Sequence, residues 1–214
     1  MLEVFRDLEI SGTNQPTLST FVAALSKALP VGWKRDTARE KQLGRNSGDT
    51  HYSFSIAARQ KKPAAHLFLM RRGAAFHITN IVPDKMGELG RKIYNNYVEE
   101  FRQICEPVAK RLGLTVRVTS DQQDISELLT PRAMKALQSF SSSANMGSLH
   151  PFDEERWRKF LLIAHHDKVQ LDSETLNRWL AEVWRWPDSG AQDLASEYDF
   201  ARTLLDEYDG GAGR

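Results

Sequence analysis

The chain has 214 residues, and 29 lysines and arginines against 28 aspartates and glutamates give a net charge of +1, so no whole-molecule field attracts polyanions or membranes. Hydrophobic residues make up 41% and charged residues 27%, which excludes a collagen-like, fully disordered or membrane-spanning chain. The total hides a division: residues 1–113 carry 18 basic and 11 acidic residues (+7), and residues 114–214 carry 11 and 17 (−6). We expect the halves to attract different partners, or each other.

The cysteine content and the first residues point to a compartment. The single cysteine, Cys105, excludes an internal disulfide and a cysteine-rich zinc cluster. A secretory signal needs a basic end and an apolar run, and the chain instead begins MLEVFRDLEI. We therefore expect a cytoplasmic, prokaryotic protein in a reducing compartment, with no membrane contact. No Gly-x-Gly-x-x-Gly or Walker loop occurs, so no cofactor is predicted.

The first half of the chain reads as strands and helices in alternation. Alternating apolar residues over 2–10 predict a strand, and apolar spacing over 18–29 predicts a helix that Pro30 and Gly32 end. Residues 33–41 alternate in charge and predict an edge strand or an exposed arm. Three short runs then predict consecutive hairpins: 51–58, 64–71 and 75–82.

The hairpin turns set which residues share a face. A two-residue turn at Arg72-Gly73 would pair Leu69 with Phe76 and Leu67 with Ile78 on the core face. The opposite face would then be mixed polar and aromatic. Its residues are His51, Ser53, Ser55, His66, Phe68, Met70, Arg72, His77 and Thr79.

A long amphipathic helix over 86–112 is predicted to cover the core face, with a kink near Gln103 or a restart at Pro107, before a strand at 114–118. Beyond residue 119 the pattern predicts helices only, starting at Thr130-Pro131, Pro151 or Asp153, and Ser173. The last helix would bury Leu194, Ala195, Tyr198, Ala201, Leu204, Leu205 and Tyr208.

The predicted fold class is therefore α+β: a mostly antiparallel sheet of about five strands with a long covering helix, followed by an all-α helical bundle. We place a sheet domain at 1–119 and a helical domain at 120–214. The charge difference between the halves leaves open whether they pack as one unit.

The leading functional hypothesis is a non-catalytic interaction protein that contacts a protein partner through its helical half or its polar sheet face. It follows from the lack of a catalytic signature: Cys105 falls on an apolar helix face, and the serines at 141–143 form no nucleophile elbow. The oligomeric state stays open.

A second hypothesis is nucleic-acid binding by the basic sheet domain, with cations on phosphates and an aromatic ring stacking on a base. The candidate residues are Lys61, Lys62, His66, Phe68, Arg71, Arg72 and His77. A zinc site built from His51, His66 and His77 is disfavoured, because His51 would lie far along its strand beside Arg72.

A third hypothesis is a hydrolase centred on His150, Asp153, Glu154 and Arg156, whose residue types suit acid/base chemistry. His165 and His166 follow, but Asp153 and His165 lie about 18 Å apart along an unbroken helix. The competing interpretation is structural, since acids favour a helix N-terminus and histidines its C-terminus.

Overall fold

A computed structural model describes residues 1–12, 15–44, 50–59, 62–144 and 151–211. Within it the chain divides into two compact units: a sheet unit, Val4–Asp121, and a helical unit, Met1–Glu3 with Gln122–Arg214. The first three residues join the helical unit because Leu2 and Glu3 pair with Gln123 and Gln122. The predicted division into domains at 1–119 and 120–214 stays a prediction.

The described residues form eight strands and seven α-helices. The strands are β1 (Leu2–Glu3), β2 (Leu8–Ser11), β3 (Trp33–Arg35), β4 (His51–Ile56), β5 (Ala65–Arg72), β6 (Ala75–Pro83), β7 (Thr115–Val118) and β8 (Gln122–Gln123). The helices are α1 (Gln15–Ala28), α2 (Thr37–Gly44), α3 (Arg91–Arg111), α4 (Pro131–Ser143), α5 (Pro151–His166), α6 (Ser173–Arg178) and α7 (Asp188–Gly211). A 3-10 turn spans Ile125–Glu127, and a π-helical turn spans Trp179–Val183.

Six of the strands form one antiparallel sheet in the order β3-β4-β5-β6-β2-β7. Strands β4, β5 and β6 pair as consecutive hairpins, and β2 lies between β6 and β7. The α+β class with an antiparallel sheet is confirmed. The strand at 2–10 was predicted as one element, but it divides into β1, which pairs with β8, and β2.

The core of the sheet unit lies between the sheet and helices α1 and α3. Phe101 of α3 packs on Phe54 and Trp33, with ring centroids 5.3 and 5.7 Å apart, and Phe21 of α1 packs on Phe76 at 5.7 Å. These side chains are almost fully removed from water. Burial of large aromatic rings supplies much of the stabilisation of such a core.

The hairpin register differs from the predicted one. The turn lies at Gly73 and Ala74, so Arg72 pairs with Ala75 and Leu69 with Ile78. Gly73 adopts a φ of +56°, which glycine tolerates better than a residue with a Cβ. A bulge between Phe68 and Leu69 then pairs Leu67 with Ile81. Leu67 and Leu69 remain buried, so the predicted core face is kept.

Two predicted helical boundaries also change. The charged segment after Trp33 forms edge strand β3 and then helix α2, which the sequence pattern missed. Helix α3 begins at Arg91, because Gly90 precedes it as the N-cap residue, and Met86 is fully exposed outside it. The helix continues through Pro107 to Arg111 and does not restart there.

The helical unit has a separate aromatic core. Phe140 of α4 packs against Trp157 and Trp186 at centroid distances of 5.0 and 5.4 Å, and Phe160 packs against Tyr198 at 6.0 Å. The indole N–H of Trp186 donates to Ser141 Oγ at 3.3 Å. Helix α6 ends at Arg178, earlier than predicted, and the π-helical turn follows it.

Helix α7 departs from its predicted burial. Its buried residues all lie in the first half: Ala191, Leu194, Ala195 and Tyr198. Leu204 and Tyr208 were predicted to be buried, but they are exposed. Leu204 and Tyr208 lie on a different side of the helix from Tyr198, and the second half of α7 buries no side chain fully.

Hydropathy along the described helices was compared with the requirement for a membrane span. None of these helices combines the length and apolar content needed to cross a bilayer.

Candidate interaction surfaces

The non-core face of the sheet is partly covered by α2. Asp36 N–H donates to the Ser53 carbonyl at 2.8 Å, and the Glu40 carboxylate accepts the Ser53 N–H at 3.1 Å. Asp36 and helix α2 thereby provide hydrogen-bond partners for the backbone of β4 beyond the last residue of β3. On the same face, the Arg39 guanidinium lies 5.8 Å from the Phe68 ring centroid, and Ser53 is fully buried.

The other part of this face is open and forms a groove over β6, β2 and β7, which we call the sheet groove. Glu9 lies directly opposite His77 on β6 and Arg117 on β7. The cavity measures about 690 Å³, and its polar lining consists of Asp7, Glu9, Arg72, His77, Thr79, Arg117 and Thr119. Acidic and basic side chains alternate here, so the groove has no single sign of charge.

The nucleic-acid candidates do not meet at one place. Lys62 pairs with Glu100 of α3, and Arg71 lies opposite the core residue Phe76, on the other face from Arg72. Only Arg72 and His77 line the sheet groove. Lys61 lies outside the described residues.

His66 and Phe68 form a separate pair beside α2. Their rings stack with centroids 6.5 Å apart, and His66 Nε2 lies 2.8 Å from Asp84 Oδ1. Phe68 is half-buried beneath Arg39, which limits the ring area that a base could stack on.

The histidine register also differs from the predicted one. His51 pairs with Met70, which pairs with His77, whereas His66 pairs with Ser55 and Val82. His51 was expected opposite Arg72, and His66 opposite Thr79. Among the residues that the structure describes, no group of histidine, cysteine, aspartate or glutamate side chains has a metal-binding arrangement.

The hydrolase candidates sit at one end of α5. Asp153 is buried and accepts a 2.8 Å hydrogen bond from Arg156 Nη1, while Glu154 is exposed and lies 3.6 Å from Arg158. Helix α5 is continuous to His166, so the histidines that follow stay at its far end. His150 lies outside the described residues.

The only cysteine has no features of an activated nucleophile. Cys105 lies in the core of the sheet unit, and burial raises the pKa of its thiol well above the ordinary value. A thiol of this kind acts as a small apolar side chain.

No protein-family model, curated protein or solved structure matches this chain. The evidence for its role is therefore the chemistry of its own surfaces. In addition to the sheet groove of the sheet unit, two surfaces of the helical unit have features of a contact site among the described residues.

The first is the α7 stripe, made of Phe200, Leu204 and Tyr208. These residues follow one another at intervals of four and so lie along one side of the helix. Their exposed fractions are 67%, 52% and 72%, although each is large and apolar or aromatic. The whole helix carries seven aspartates and glutamates and one arginine, Arg202, whose guanidinium donates to the Leu171 carbonyl at 3.2 Å. The stripe is therefore apolar and surrounded by negative charge.

The second half of α7 is held to the unit at its end. His165 of α5 places Nε2 2.9 Å from Asp209 Oδ2 and Nδ1 3.4 Å from Asp206 Oδ1. These contacts lie on the flank of α7 and leave the stripe uncovered. Phe200 also lines a cleft of about 670 Å³ between α6 and α7, together with the acids Glu174 and Asp199.

The second surface is the α4–α5 groove, a cavity of about 810 Å³ between these helices. Its charged lining is basic except for one glutamate: Arg132, Lys135, Arg156, Lys159 and Glu155. Its apolar lining is Pro131, Ala136, Phe152 and Ile163, and Phe152 is 63% exposed. A basic, partly apolar groove thus lies in the half of the chain that is acidic overall.

Most residues of these surfaces were not predicted from the sequence to belong to a contact site. Lys135 and Lys159 belong to different helices, and only helix packing brings them to one groove. Phe200 comes two residues after the core residue Tyr198, which places it on the opposite side of the helix, and it was not among the apolar positions predicted for that helix. A count of acids along the last helix would have been the available signal, because seven of them fall within Asp188–Gly211.

Proposed function

We propose that this protein is a non-catalytic interaction protein and that the α7 stripe is its contact surface. The observation that carries the proposal is the exposure of three large side chains, Phe200, Leu204 and Tyr208, in one row on an ordered helix. Contiguous exposed apolar surface on a folded protein typically marks a contact that buries it. Aromatic residues in such a row are the usual centres of binding energy.

Charge indicates the chemistry of the partner. The acids of α7 would repel an acidic surface and attract a basic one, which favours a partner whose apolar residues are bordered by lysines or arginines. An amphipathic basic helix has this pattern and would lay its apolar side on the stripe. The acids Glu174 and Asp199 beside Phe200 would receive a cationic side chain.

The test uses a labelled peptide of leucine and lysine that forms an amphipathic helix, with a leucine and glutamate peptide of the same pattern as its control. We expect the lysine peptide to bind the full chain at low salt, measured by fluorescence anisotropy, and the glutamate peptide not to bind. The variant Phe200→Ser/Leu204→Ser should weaken binding about tenfold or more, as expected for the loss of hot-spot residues.

The matched control removes exposed apolar residues elsewhere. Val31 and Met86 are exposed on the sheet unit, and Val31→Ser/Met86→Ser should leave binding unchanged. Equal loss in both variants would show that the peptide adheres to any apolar surface, and absence of binding to the full chain would refute the proposal.

Single-stranded nucleic acid is the second candidate ligand, for the sheet groove. The observation that favours it is the presence of Arg72 and Arg117 on one open sheet face. Asp7 and Glu9 lie in the same groove and would repel phosphates, which makes this candidate weaker. Labelled oligonucleotides at low salt test it: binding that Arg72→Glu/Arg117→Glu abolishes would support it.

The hydrolase hypothesis receives less support. Asp153 is buried and accepts a hydrogen bond from Arg156. Glu154, the other carboxylate of the cluster, is exposed to solvent and lies 3.6 Å from Arg158. A general base needs an accessible carboxylate within reach of a substrate proton. We therefore do not propose this activity.

A further inference from the structure

We infer that the partner of the α7 stripe is a second copy of this chain, whose α4–α5 groove receives the stripe. The inference rests on the proposed function, because it names the partner for that contact surface. Both surfaces belong to the helical unit, and both are exposed in the same molecule. The stripe is bordered by acids, and the groove is lined mainly by cations.

The charges of the two surfaces are complementary. The groove carries four cationic side chains and one acid, and α7 carries seven acids and one arginine. Lys135 and Lys159 are exposed, and no carboxylate of the described residues lies within ion-pair distance of either. Their ammonium groups are thus available to the carboxylates of an incoming helix.

The other two cations of the groove are held in place by acids of the helical unit. Arg132 Nη1 lies 3.4 Å from Asp167 Oδ1, and Arg156 Nη1 lies 2.8 Å from Asp153 Oδ1. Because these pairs fix the arginines, their aliphatic stems add ordered apolar surface to the groove. The lysines then supply the charge that a partner would recognise.

The apolar residues and the lengths also match. Pro131, Ala136, Phe152 and Ile163 give the groove an apolar lining for the side chains of the stripe. The stripe from Phe200 to Tyr208 spans about 12 Å at the helical rise, and the α4 side of the groove from Arg132 to Ser139 spans about 10 Å. A helix laid in a groove between two helices is a common mode of recognition.

Within one molecule, the α7 stripe does not contact the α4–α5 groove. None of the residues that line the α4–α5 groove belongs to α7, and the stripe residues are exposed. Contact between the surfaces therefore needs another molecule. Because the two surfaces differ, each contact joins the stripe of one molecule to the groove of another, either reciprocally in a closed pair or head-to-tail in a ring or an open chain.

The experiment measures the mass of the full chain in solution by sedimentation, over a range of concentrations at low and high salt. One variant inactivates the groove, Lys135→Glu/Lys159→Glu, and the other inactivates the stripe, Phe200→Ser/Leu204→Ser. All four positions are exposed, and circular dichroism of each variant checks that the fold is retained. A milder groove variant, Lys135→Gln/Lys159→Gln, removes charge without reversing it.

We expect the average mass of the unmodified chain to rise with concentration at low salt and to fall at high salt. Each variant alone should remain a single chain, with its dissociation constant raised about tenfold or more. An equimolar mixture of the two variants should form a one-to-one pair and nothing larger, because each molecule keeps only one active surface. That result distinguishes contact between a stripe and a groove from contact between two stripes or two grooves.

Two results would overturn the inference. One is an unmodified chain that remains monomeric at every concentration, and the other is a groove variant that still self-associates. If the chain is monomeric while the lysine peptide binds the stripe, the proposed function stands and its partner is another protein. If the peptide also fails to bind, both proposals fall.

Discussion

The two units differ in the arrangement of their charged side chains. In the sheet unit, cations and acids lie next to each other: Lys62 pairs with Glu100, Arg102 with Glu99 and Glu106, and Arg35 with Glu40. The helical unit has such pairs as well, for example Arg156 with Asp153, but seven acids also lie along α7, and Lys135 and Lys159 of the α4–α5 groove have no ion-pair partner among the described residues. The excess of six acids in the second half of the chain equals the excess on α7 alone. Separation of charge within a unit therefore marks its surfaces better than the net charge of a half does.

Exposed apolar residues show the same contrast. Those of the sheet unit are scattered, as with Phe5, Val31 and Met86, which lie outside its strands and helices. Apart from Met1, those of the helical unit lie on helices α5 and α7 and include the α7 stripe. Single exposed apolar residues are normal on any protein, but a row of them on one helix is not.

The largest expected effect is a loss of stability in each core, and it tests whether the two cores unfold independently. Phe101→Ala in the sheet unit and Phe160→Ala in the helical unit should each cost about 3–5 kcal/mol of stability, through lost burial and a cavity. Cys105 lies in the sheet core, so labelling of its thiol reports the opening of that unit. If the units open independently, Phe101→Ala should speed labelling by about two hundredfold to several thousandfold, and Phe160→Ala should leave it unchanged.

Labelling with an aromatic disulfide reagent and urea titration followed by tryptophan fluorescence measure these effects. Four of the five tryptophans lie in the second half of the chain, so fluorescence mainly follows the helical unit. Equal acceleration of labelling by both substitutions would show that the chain unfolds as a single cooperative unit.

The next effect concerns the start of α4, next to the basic groove. The Thr130 hydroxyl accepts the Ala133 N–H at 3.2 Å and donates to Asp167. Thr130→Ala should cost about 1–2 kcal/mol, since it removes an N-cap. Thr203→Ala is the matched control: this exposed hydroxyl only donates to the Asp199 carbonyl, so we expect less than about 0.5 kcal/mol. Similar losses in both would refute the capping role.

Acid should weaken each unit through an identified carboxylate. The hydrogen bond from Thr130 and the neighbouring His166 lower the pKa of Asp167. The unfolded chain then binds the proton first, so this contribution is complete above about pH 4 and is lost as the pH falls through the lowered value. Asp167→Asn should remove that part of the acid dependence in urea titrations of the helical unit.

The corresponding group of the sheet unit is Glu99, whose pKa is lowered by hydrogen bonds from Arg102. Glu99→Gln should flatten the acid dependence of the sheet unit, measured by Cys105 labelling, and leave that of the helical unit unchanged. A stability difference between either variant and the unmodified chain that persists undiminished well below pH 3 or so would contradict the sign of the shift.

The smallest effect is expected at the α7 stripe. Phe200, Leu204 and Tyr208 are already exposed, so substitution by serine removes little buried area. Thermal unfolding of Phe200→Ser/Leu204→Ser should show a change of less than about 0.5 kcal/mol, although the same variant should lose its binding. A loss of several kcal/mol would mean that the stripe packs within the chain and is not a contact surface.

Hydrophobic periodicity was sufficient for the fold class. The runs at 51–58, 64–71 and 75–82 gave the hairpins, and Leu67 and Leu69 were assigned to the correct face, because alternation fixes the face even when the register moves by two residues. The register itself depended on a turn at Gly73 and a bulge after Phe68, and neither has a unique sequence signal. Helix α2 was missed because an edge helix with few apolar residues has no periodicity to detect.

The candidate surfaces were less predictable, since each depends on what packs beside it. Arg71 and Arg72 are neighbours in sequence, but the pleat directs them to opposite faces of the sheet. Leu204 and Tyr208 are large apolar or aromatic residues of the last helix, but they lie on a different side from Tyr198, and the neighbouring helices do not cover them. A pattern shows that a residue is suited to burial and does not show whether another element covers it.

By itself the sequence determined an α+β chain, the identity of most helices and strands, and an acidic last helix, because these follow from local periodicity and composition. The tertiary structure alone decided that Leu204 and Tyr208 of α7 stay exposed, that four cations of α4 and α5 share one groove, and that the sheet face is open over β6, β2 and β7. These features depend on contacts between residues distant in sequence. Near neutrality of the whole chain thus coexists with two oppositely charged surfaces in one unit.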